Sequence, residues 1–505
     1  MQNSSAHHIK HSATLFLDTH YHVGPIDSRL FSGFLEHLGR AIYGGVFEPG
    51  NPLSDERGFR RDVLDAVRGL RMPLVRYPGG NFVSNYDWRD GVGPRNQRPR
   101  RPEFAWKSIE PNTFGTDEFV DWCRAAGTAP MMAINLGTSG AKEAAALLEY
   151  CNKPAGTHWA DQRVANGRRA PHGIKVWCLG NEMDGPWQAG HVPASEYARR
   201  AQQAAALMKG IDPTVQLVAC GSSGNSMATY MDWDRQVLEY CWDHVDFISA
   251  HRYTGNRKGT PWYLAESVEI ERILADYRAV IGYVRAVKKS PKQVGLSFDE
   301  WNVWYRATGC DGGWKVAPPL LEEVYNLEDA LVAAMFLNAF VRNADLVKIA
   351  CLAQIVNVIA PILTRSDGLL IQSIYHPCAA FASHARGHSL CPIITSPMYH
   401  AGDRGDVPVL DASVSHDDGQ ATAFLVNRSL TAALSVTIKF ADRRITSVRS
   451  AELLTHRNPK AANTWKHPHI IKPKPLPHAT LEAGRLTVRL PPLSFARISL
   501  ALGKT

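Results

Sequence analysis

Long apolar runs are missing from this sequence. The best candidate, "LVKIACLAQIVNVIAPIL", is interrupted by Lys348, Gln354, Asn357 and Pro361, which makes it a poor membrane span. The opening "MQNSSAHHIKHSATLFLD" has no sustained apolar segment leading to a small-residue cleavage site, so the expectation is a cytoplasmic protein. The nine cysteines include no Cys-x-x-Cys pair. Odd in number and irregular in spacing, they read as thiols of a reducing compartment, not as a disulfide framework. No set of three or four ligands has metal spacing. His7, His8 and His11 cluster only at a terminus, and neither a metal nor another cofactor is expected. The glycine-rich "CGSSGNS" lacks a following Lys-Ser/Thr and any dinucleotide fingerprint, and "GTSG" lacks the Gly-x-Ser-x-Gly pattern of a nucleophile elbow. Charge of one sign is not concentrated either. The formal net charge of +8 is spread over the chain, apart from the basic loop "GPRNQRPRRPEF" (93–104). Without a recognised nucleic-acid module that loop reads as a solvated rim, and no nucleic-acid partner is expected.

What is present is an ordinary globular composition, 45% apolar and 21% charged over 505 residues. That length suits one large domain and a smaller one. In "DERGFRRDVLDAVRGLRMP", Phe59, Val63, Val67 and Leu70 share one helical face, and Gly69 and Pro73 mark the exit. In "GTDEFVDWCRAAG", Thr116 reads as the cap and Gly127 as the stop. Eight short apolar runs read as strands: "FSGFLEHLG", "PLVRYP", "PMMAINLG", "KVWCLGNE", "VQLVACG", "DFISAHRY", "QVGLSFDEW" and "LVKIACLAQ". Helical segments separate most of them. The pattern predicts an α/β fold, a (β/α)₈ barrel over residues 26–388. After about residue 390, alternating runs such as "LSVTIKF" and "SFARISL" replace helical patterns and predict a β-sandwich over 389–505. Residues 1–25, with the strand-like "SATLFLD", are expected to join that sandwich. "THRNPKAANTWKHPHIIKPKPLPH" reads as a long surface loop.

In a parallel barrel, chemistry collects at the C-terminal ends of the strands. "KVWCLGNE" puts Asn181 and Glu182 at such an end, and "QVGLSFDEW" does the same for Asp299 and Glu300. Two facing carboxyl groups suit glycoside hydrolysis. One keeps a proton for the leaving oxygen, while the other, ionised, attacks the sugar or activates water. The charge of one and burial both raise the pKa of the other. Trp106, Trp187, Tyr253, Trp301, Trp304 and Tyr305 lie at or just after strand ends, where flat rings suit the C–H faces of sugars. A lone strand-end glutamate is more often an ion-pair or capping residue. Two of them, each preceded by an amide or acid and followed by aromatics, are not.

Together "RYPGGNF", "GNEMDGPWQ", "FLEHLGRAIYGGVFEPG" and "FDEWNVWY" closely resemble the α-L-arabinofuranosidases of glycoside hydrolase family 51, from about Ile26 to Pro377 and more weakly beyond. The resemblance implies a retaining double displacement, with Glu182 as general acid/base and Glu300 as nucleophile. Asn181 would bond the sugar 2-hydroxyl, Glu36 and Asn81 other hydroxyls, and Arg76 and Tyr253 would flank the nucleophile. His251 and Gln354 match further pocket positions, and Trp106, Trp187 and Trp304 would wall the sugar sites. The implied partner is an arabinofuranosyl-containing oligo- or polysaccharide, and the implied assembly a homo-trimer or hexamer. A retaining mechanism predicts carboxyl groups about 5–5.5 Å apart. The choice of furanoside comes from the resemblance alone. The alternatives are an endo-β-glucanase or xylosidase on the same barrel, or a non-catalytic carbohydrate-binding protein.

Overall fold

The computed structural model describes residues 11–504. His7, His8 and the start of the N-terminal segment lie outside the described residues. The eight apolar runs form β1 (Ser32–Phe34), β2 (Leu74–Tyr77), β3 (Ala129–Ala133), β4 (Val176–Leu179), β5 (Gln216–Ala219), β6 (Phe247–Thr254), β7 (Gly295–Val303) and β8 (Val347–Ala353). They close into an all-parallel barrel in chain order, β1 lying between β8 and β2.

Two-residue alternation decides what enters the barrel. Leu74, Met131, Val176, Val218, Phe247 and Ile349 form a compact inner cluster with Cys178, Cys351 and Ala353. Their neighbours Val75, Trp177, Ile248 and Leu296 belong to the larger core shared with the helices. Continued towards the strand ends, the same alternation places Arg76 above Leu74, His251 above Phe247, and Asp299 above Ser297.

Strand β7 then breaks its register. Ser249 pairs with Ser297 but His251 with Glu300. On the other side Phe298 pairs with Ala350 but Trp301 with Leu352. One extra residue is therefore inserted in β7 against both neighbours, a β-bulge that re-aims side chains. Asp299 and Glu300, adjacent in sequence, both contact groups at the barrel mouth. Trp301 is turned outward, stacked on Phe336 with ring centroids 5.1 Å apart. The expectation that Trp301 lines the mouth is thus corrected. Tyr305 also turns away, packing on Tyr263.

Two helix boundaries differ from expectation. Helix α1 spans Arg61–Leu70. It starts late because the Asp55 carboxylate accepts from the N–H groups of Arg57 and Phe59, holding that stretch as a turn. It ends on Arg71 in the left-handed region (φ 52°), not on Gly69. Helix α2, Thr116–Ala126, is preceded by Gly115 as cap, so Thr116 is the first helical residue. The Glu118 carboxylate accepts from the Gly115 N–H at 2.9 Å. Gly127 (φ 75°) ends α2.

Beyond the barrel, two sheets of five and seven strands pack face to face. Leu434–Phe440 alternates buried and half-buried residues along its whole length, as a strand with one face on a core must. Ser12–Leu17 runs parallel to it. Leu410–Asp417 and Gln420–Asn427 form a hairpin about Asp418 (φ 36°) and Gly419 (φ 73°), the two positive angles of a type I′ turn. Helix α3 (Leu327–Arg342) is buried almost all round because it lies between barrel and sandwich. Its Asn338 donates to Asp411 Oδ1 at 2.6 Å, and its Arg342 reaches the same carboxylate at 3.3 Å. Arg428 of the sandwich closes the cluster at 2.7 Å. Burial opposes ionisation of Asp411, but Arg342 and Arg428 outweigh it and lower its pKa. Asp411→Ala therefore leaves the buried Arg428 without its counter-charge, while Arg342 keeps Glu271, and costs about 3–5 kcal/mol. A calorimetric unfolding midpoint equal to wild type would show that this cluster does not hold the two layers together.

Candidate active site

The turn that follows β4 supplies the first carboxyl group. Gly180 (φ 93°) occupies a backbone region that favours glycine, and two residues later Glu182 is held at φ 44°. Such strain in a non-glycine residue persists only where the surroundings enforce it. Both Glu182 oxygens are engaged: Oε1 with His251 Nδ1 at 2.9 Å, and Oε2 with the indole N–H of Trp187 at 2.7 Å. The second carboxyl group comes from the β7 bulge. Glu300 Oε1 accepts from Arg76 Nη1 at 2.7 Å and Oε2 from the Tyr253 hydroxyl at 2.9 Å. One oxygen of Glu182, one of Glu300 and a ring nitrogen of His251 all lie within 4.8 Å of one another.

His251 is the hinge of this arrangement. Its Nε2 meets Asp299 Oδ1 at 3.0 Å. Burial alone would push the imidazole down, but Glu300, Asp299 and Glu182 push it up to about 10. It is therefore an imidazolium at neutral pH, donating from both nitrogens. Glu182, His251, Glu300 and Asp299 thus form one network of hydrogen bonds and paired charges. Asp299 is lowered: burial resists, and Arg76 and His251 prevail. Glu182 is raised, first by burial and also by the charge of Glu300, against the hydrogen bond from His251.

Arg76 also donates from Nη2 to Asn181 Oδ1 at 2.8 Å. This leaves the Asn181 amide nitrogen with only long contacts, 3.5 Å to Asn81 and 3.4 Å to Gln188. Glu36 accepts from the Phe82 N–H at 2.9 Å and from the Trp106 indole at 3.0 Å, and Gln354 approaches its other oxygen at 3.4 Å. Burial raises Glu36 to about 8, with Glu300 adding to the shift. Gly80 makes room for it, since a Cβ there would stand 2.5 Å from Glu36 Oε2. Gly80 of "PGGN" is thus needed for close approach to a carboxyl group.

These groups surround a cavity of about 520 Å³, within the range for small-ligand sites. Of the twelve site residues that the resemblance implies, ten line it; Arg76 and Asn181 are buried. Trp187 is half exposed at the rim, and Trp304 meets Tyr253 edge-on at 5.5 Å.

Comparison with known proteins decides what this arrangement belongs to. Residues 66–266 match the α-L-arabinofuranosidase 1 domain and residues 299–494 the α-L-arabinofuranosidase C-terminal domain. A protein of Halalkalibacterium halodurans named an intracellular exo-α-(1→5)-L-arabinofuranosidase is 46% identical over 97% of this chain and 99% of its own. An exo-α-(1→6)-L-arabinofuranosidase of Bifidobacterium longum is 42% identical over 96% of each. The solved structure of a family 51 α-L-arabinofuranosidase from Bifidobacterium longum superposes with a TM-score of 0.93 at 40% identity, covering 97% of this chain and 99% of that one. The chain belongs to the α-L-arabinofuranosidases of glycoside hydrolase family 51.

Parts of the candidate site were not singled out in the sequence. Ser223, Gly224, Asn225 and Ser226 line the cavity. They come from "CGSSGNS", which follows β5 directly, and that position was the available signal. Asp184 anchors them, accepting from the Ser223 N–H at 3.1 Å. Asp299 was noted only as the neighbour of Glu300. The basic loop contains a hairpin, Arg101–Glu103 with Ser108–Glu110, whose turn carries Trp106 to Glu36. Within the same loop Arg98 is buried against Glu118 and Arg101 pairs with Asp90.

The raised pKa of Glu36 gives a pH prediction. Its protonated form, able to donate to a sugar hydroxyl, is present below about 8 and lost above it. Substrate affinity of this arabinofuranosidase should therefore weaken as pH rises through that value. Glu36→Gln should flatten that alkaline limb even if it lowers the plateau. A limb unchanged in the Gln variant, measured as KM against pH, would assign it to another group.

Proposed function

We propose that this arabinofuranosidase releases terminal, non-reducing α-L-arabinofuranosyl residues by a retaining double displacement. The observation that carries the proposal is the approach of Glu182 and Glu300 oxygens to within 4.8 Å in one sugar-sized cavity. Retaining glycosidases hold their carboxyl groups about 5–5.5 Å apart, whereas inverting ones leave a wider gap for water.

Glu300 attacks the anomeric carbon as the bond to the leaving oxygen breaks, and Glu182 gives that oxygen its proton. The product of this half-reaction is a glycosyl ester on Glu300. Water then attacks the same carbon, yielding its proton to Glu182, and arabinose leaves with Glu300 restored. The raised pKa of Glu182 suits the first step. Departure of the negative charge of Glu300 into the ester lowers the pKa of Glu182 and suits it to act as base in the second. Arg76 and Tyr253 orient Glu300 by occupying both its oxygens. Asn181, with its amide oxygen tied to Arg76, keeps an N–H directed for the 2-hydroxyl. Trp106, Trp187 and Trp304 supply ring faces.

Relatives named for both 1→5 and 1→6 linkages support exo action on arabinofuranosides and leave the linkage to measurement. The word intracellular in one of those names supports action in the cytoplasm. No helix among the described residues is long and apolar enough to cross a membrane. Assembly as a trimer or hexamer is proposed on family grounds alone.

Two variants test the roles. Glu182→Ala should cost natural arabinosides orders of magnitude in kcat/KM, while aryl arabinofuranosides with acidic phenol leaving groups lose far less, since these need little proton donation. Equal losses on both would remove Glu182 from the acid role. Glu300→Ala should abolish turnover of every substrate, and azide should restore a glycosyl azide product of opposite anomeric configuration. High residual activity without rescue would exclude Glu300 as nucleophile.

A further inference from the structure

A hairpin of the C-terminal region reaches back to the barrel beside the catalytic cavity. Met398–His400 and Asp406–Pro408 pair with each other and join neither large sheet. The turn between them carries Arg404, the last residue of the short 3-10 helix Gly402–Arg404. Ala401 and Val407 pack on Ala265 of the barrel, and the Tyr399 hydroxyl donates to the Pro261 carbonyl at 3.1 Å. Arg404 lies over the Trp262 ring, 3.6 Å from its centroid, and donates from Nη1 to the Trp262 carbonyl at 2.8 Å.

From there a chain of paired charges leads to the cavity. Arg404 donates from Nη2 to Glu266 Oε2. The other oxygen, Oε1, accepts from Arg252 Nε at 2.8 Å and from Arg252 Nη2 at 2.6 Å. Arg252 stands in β6 between His251 and Tyr253, and its Nη1 donates to Asn225 Oδ1 at 3.2 Å. The Asn225 amide nitrogen donates to Glu269, one helical turn beyond Glu266. Arg252 and Asn225 line the catalytic cavity, while Arg404 and Glu266 are buried. A carboxylate held at both oxygens cannot turn, so it fixes the planar Arg252 fork that meets it. Without the Arg404 guanidinium, Glu266 keeps one of its two partners, is free to rotate, and no longer sets where Arg252 and Asn225 stand.

Segment 223–226 is tied through Asp184 to the turn that carries Glu182. In the double displacement the leaving oxygen meets Glu182, so the group attached to that oxygen has Arg252 and Asn225 as part of its wall. We propose that Arg404 is a positioning residue for the leaving sugar: through Glu266 it sets Arg252 and Asn225 at the side of the cavity that holds this sugar. The proposal rests on reading Glu182 as the proton donor of an arabinofuranosidase. It makes the C-terminal region a part of substrate selection, although the catalytic carboxyl groups all come from the barrel.

The test compares α-1,5-arabinobiose with methyl α-L-arabinofuranoside. Both leaving groups are alcohols that need a proton, and only the first is a sugar. Arg404→Met keeps the stem over Trp262 and removes the guanidinium. In it, KM for arabinobiose should rise about three- to tenfold with kcat close to wild type. Methyl arabinofuranoside should keep its wild-type KM and kcat. A loosened fold would impair both substrates alike; that outcome, or an unchanged KM for arabinobiose, overturns the proposal. Arg404→Lys keeps the charge and loses the planar fork, so it should show the same selective rise at about two- to threefold. Should Arg404→Met not fold, an unchanged KM in Arg404→Lys overturns the proposal. In an Asn225→Ala background Arg404→Met should add little, because both act on one contact; full additivity counts against the path through Glu266 and overturns it. If wild type hydrolyses neither substrate, the arabinofuranosidase reading fails instead. Hydrogen exchange of residues 222–227 still decides the positioning in that case: faster exchange in Arg404→Met supports it, and an unchanged rate overturns it.

Discussion

A guanidinium buried at the top of the barrel interior holds the catalytic arrangement together. Arg76 is only 1% exposed and stacks over Phe34, 4.8 Å from the ring centroid. A charge so placed is tolerable only if paired and hydrogen-bonded. Its partners are Glu300 at 2.7 Å, Asn181 at 2.8 Å and, at 3.8 Å, Asp299. All three are groups whose positions matter at the mouth. β2 supplies Arg76, β7 supplies both acids and the turn after β4 supplies the amide, so one side chain ties three parts of the barrel rim. The pairing follows from alternation along β2, where Leu74 enters the inner apolar layer and Arg76 stands one step higher.

The bulge in β7 lets two adjacent carboxylates serve different ends. In a regular strand, Asp299 and Glu300 would face opposite sides. With the extra residue, Asp299 anchors His251 from behind while Glu300 faces the cavity. His251 in turn bonds Glu182, so the chain Asp299–His251–Glu182 runs from the barrel interior to the cavity. The imidazolium both orients Glu182 and opposes its protonation, and burial with the Glu300 charge overrides that opposition.

Much of this was legible in the sequence, and the reasons for the rest are physical. The eight strands are legible because parallel strands buried on both faces must be continuous apolar runs, and because helical segments separate them. Glu182 and Glu300 are legible as a pair, because each ends an apolar run, follows an amide or acid and precedes aromatics, a combination that a lone ion-pair or capping glutamate does not show. The bulge is not legible, since it is a register difference against β6 and β8 and leaves no mark in β7 alone. Hence Trp301, read as a mouth residue, stacks outward on Phe336. The need for Gly80 is not legible either, since it is room for Glu36, a residue 44 positions away in the chain. The cap of α2 was misplaced by one because Glu118 reaches back to the Gly115 N–H, doing the work a threonine hydroxyl was expected to do.

The distribution of protons around the cavity follows from its size. Glu36, Glu182 and Glu300 line one space of about 520 Å³, with Asp299 just behind. Two cations, Arg76 and His251, are buried among them, which balances two negative charges. Four ionised carboxylates there would leave two charges uncompensated in a low-dielectric setting, so protons must be retained on some of them. The positions of the cations decide which. Asp299 touches both and is lowered. Glu36 touches neither, is satisfied only by N–H groups, and is raised to about 8. Glu182 touches His251 alone among the cations and is raised, chiefly by burial. An acid with a raised pKa, which falls again as negative charge leaves its neighbourhood, is thus a consequence of where two cations can be buried, and that is set by the alternation of β2 and β6.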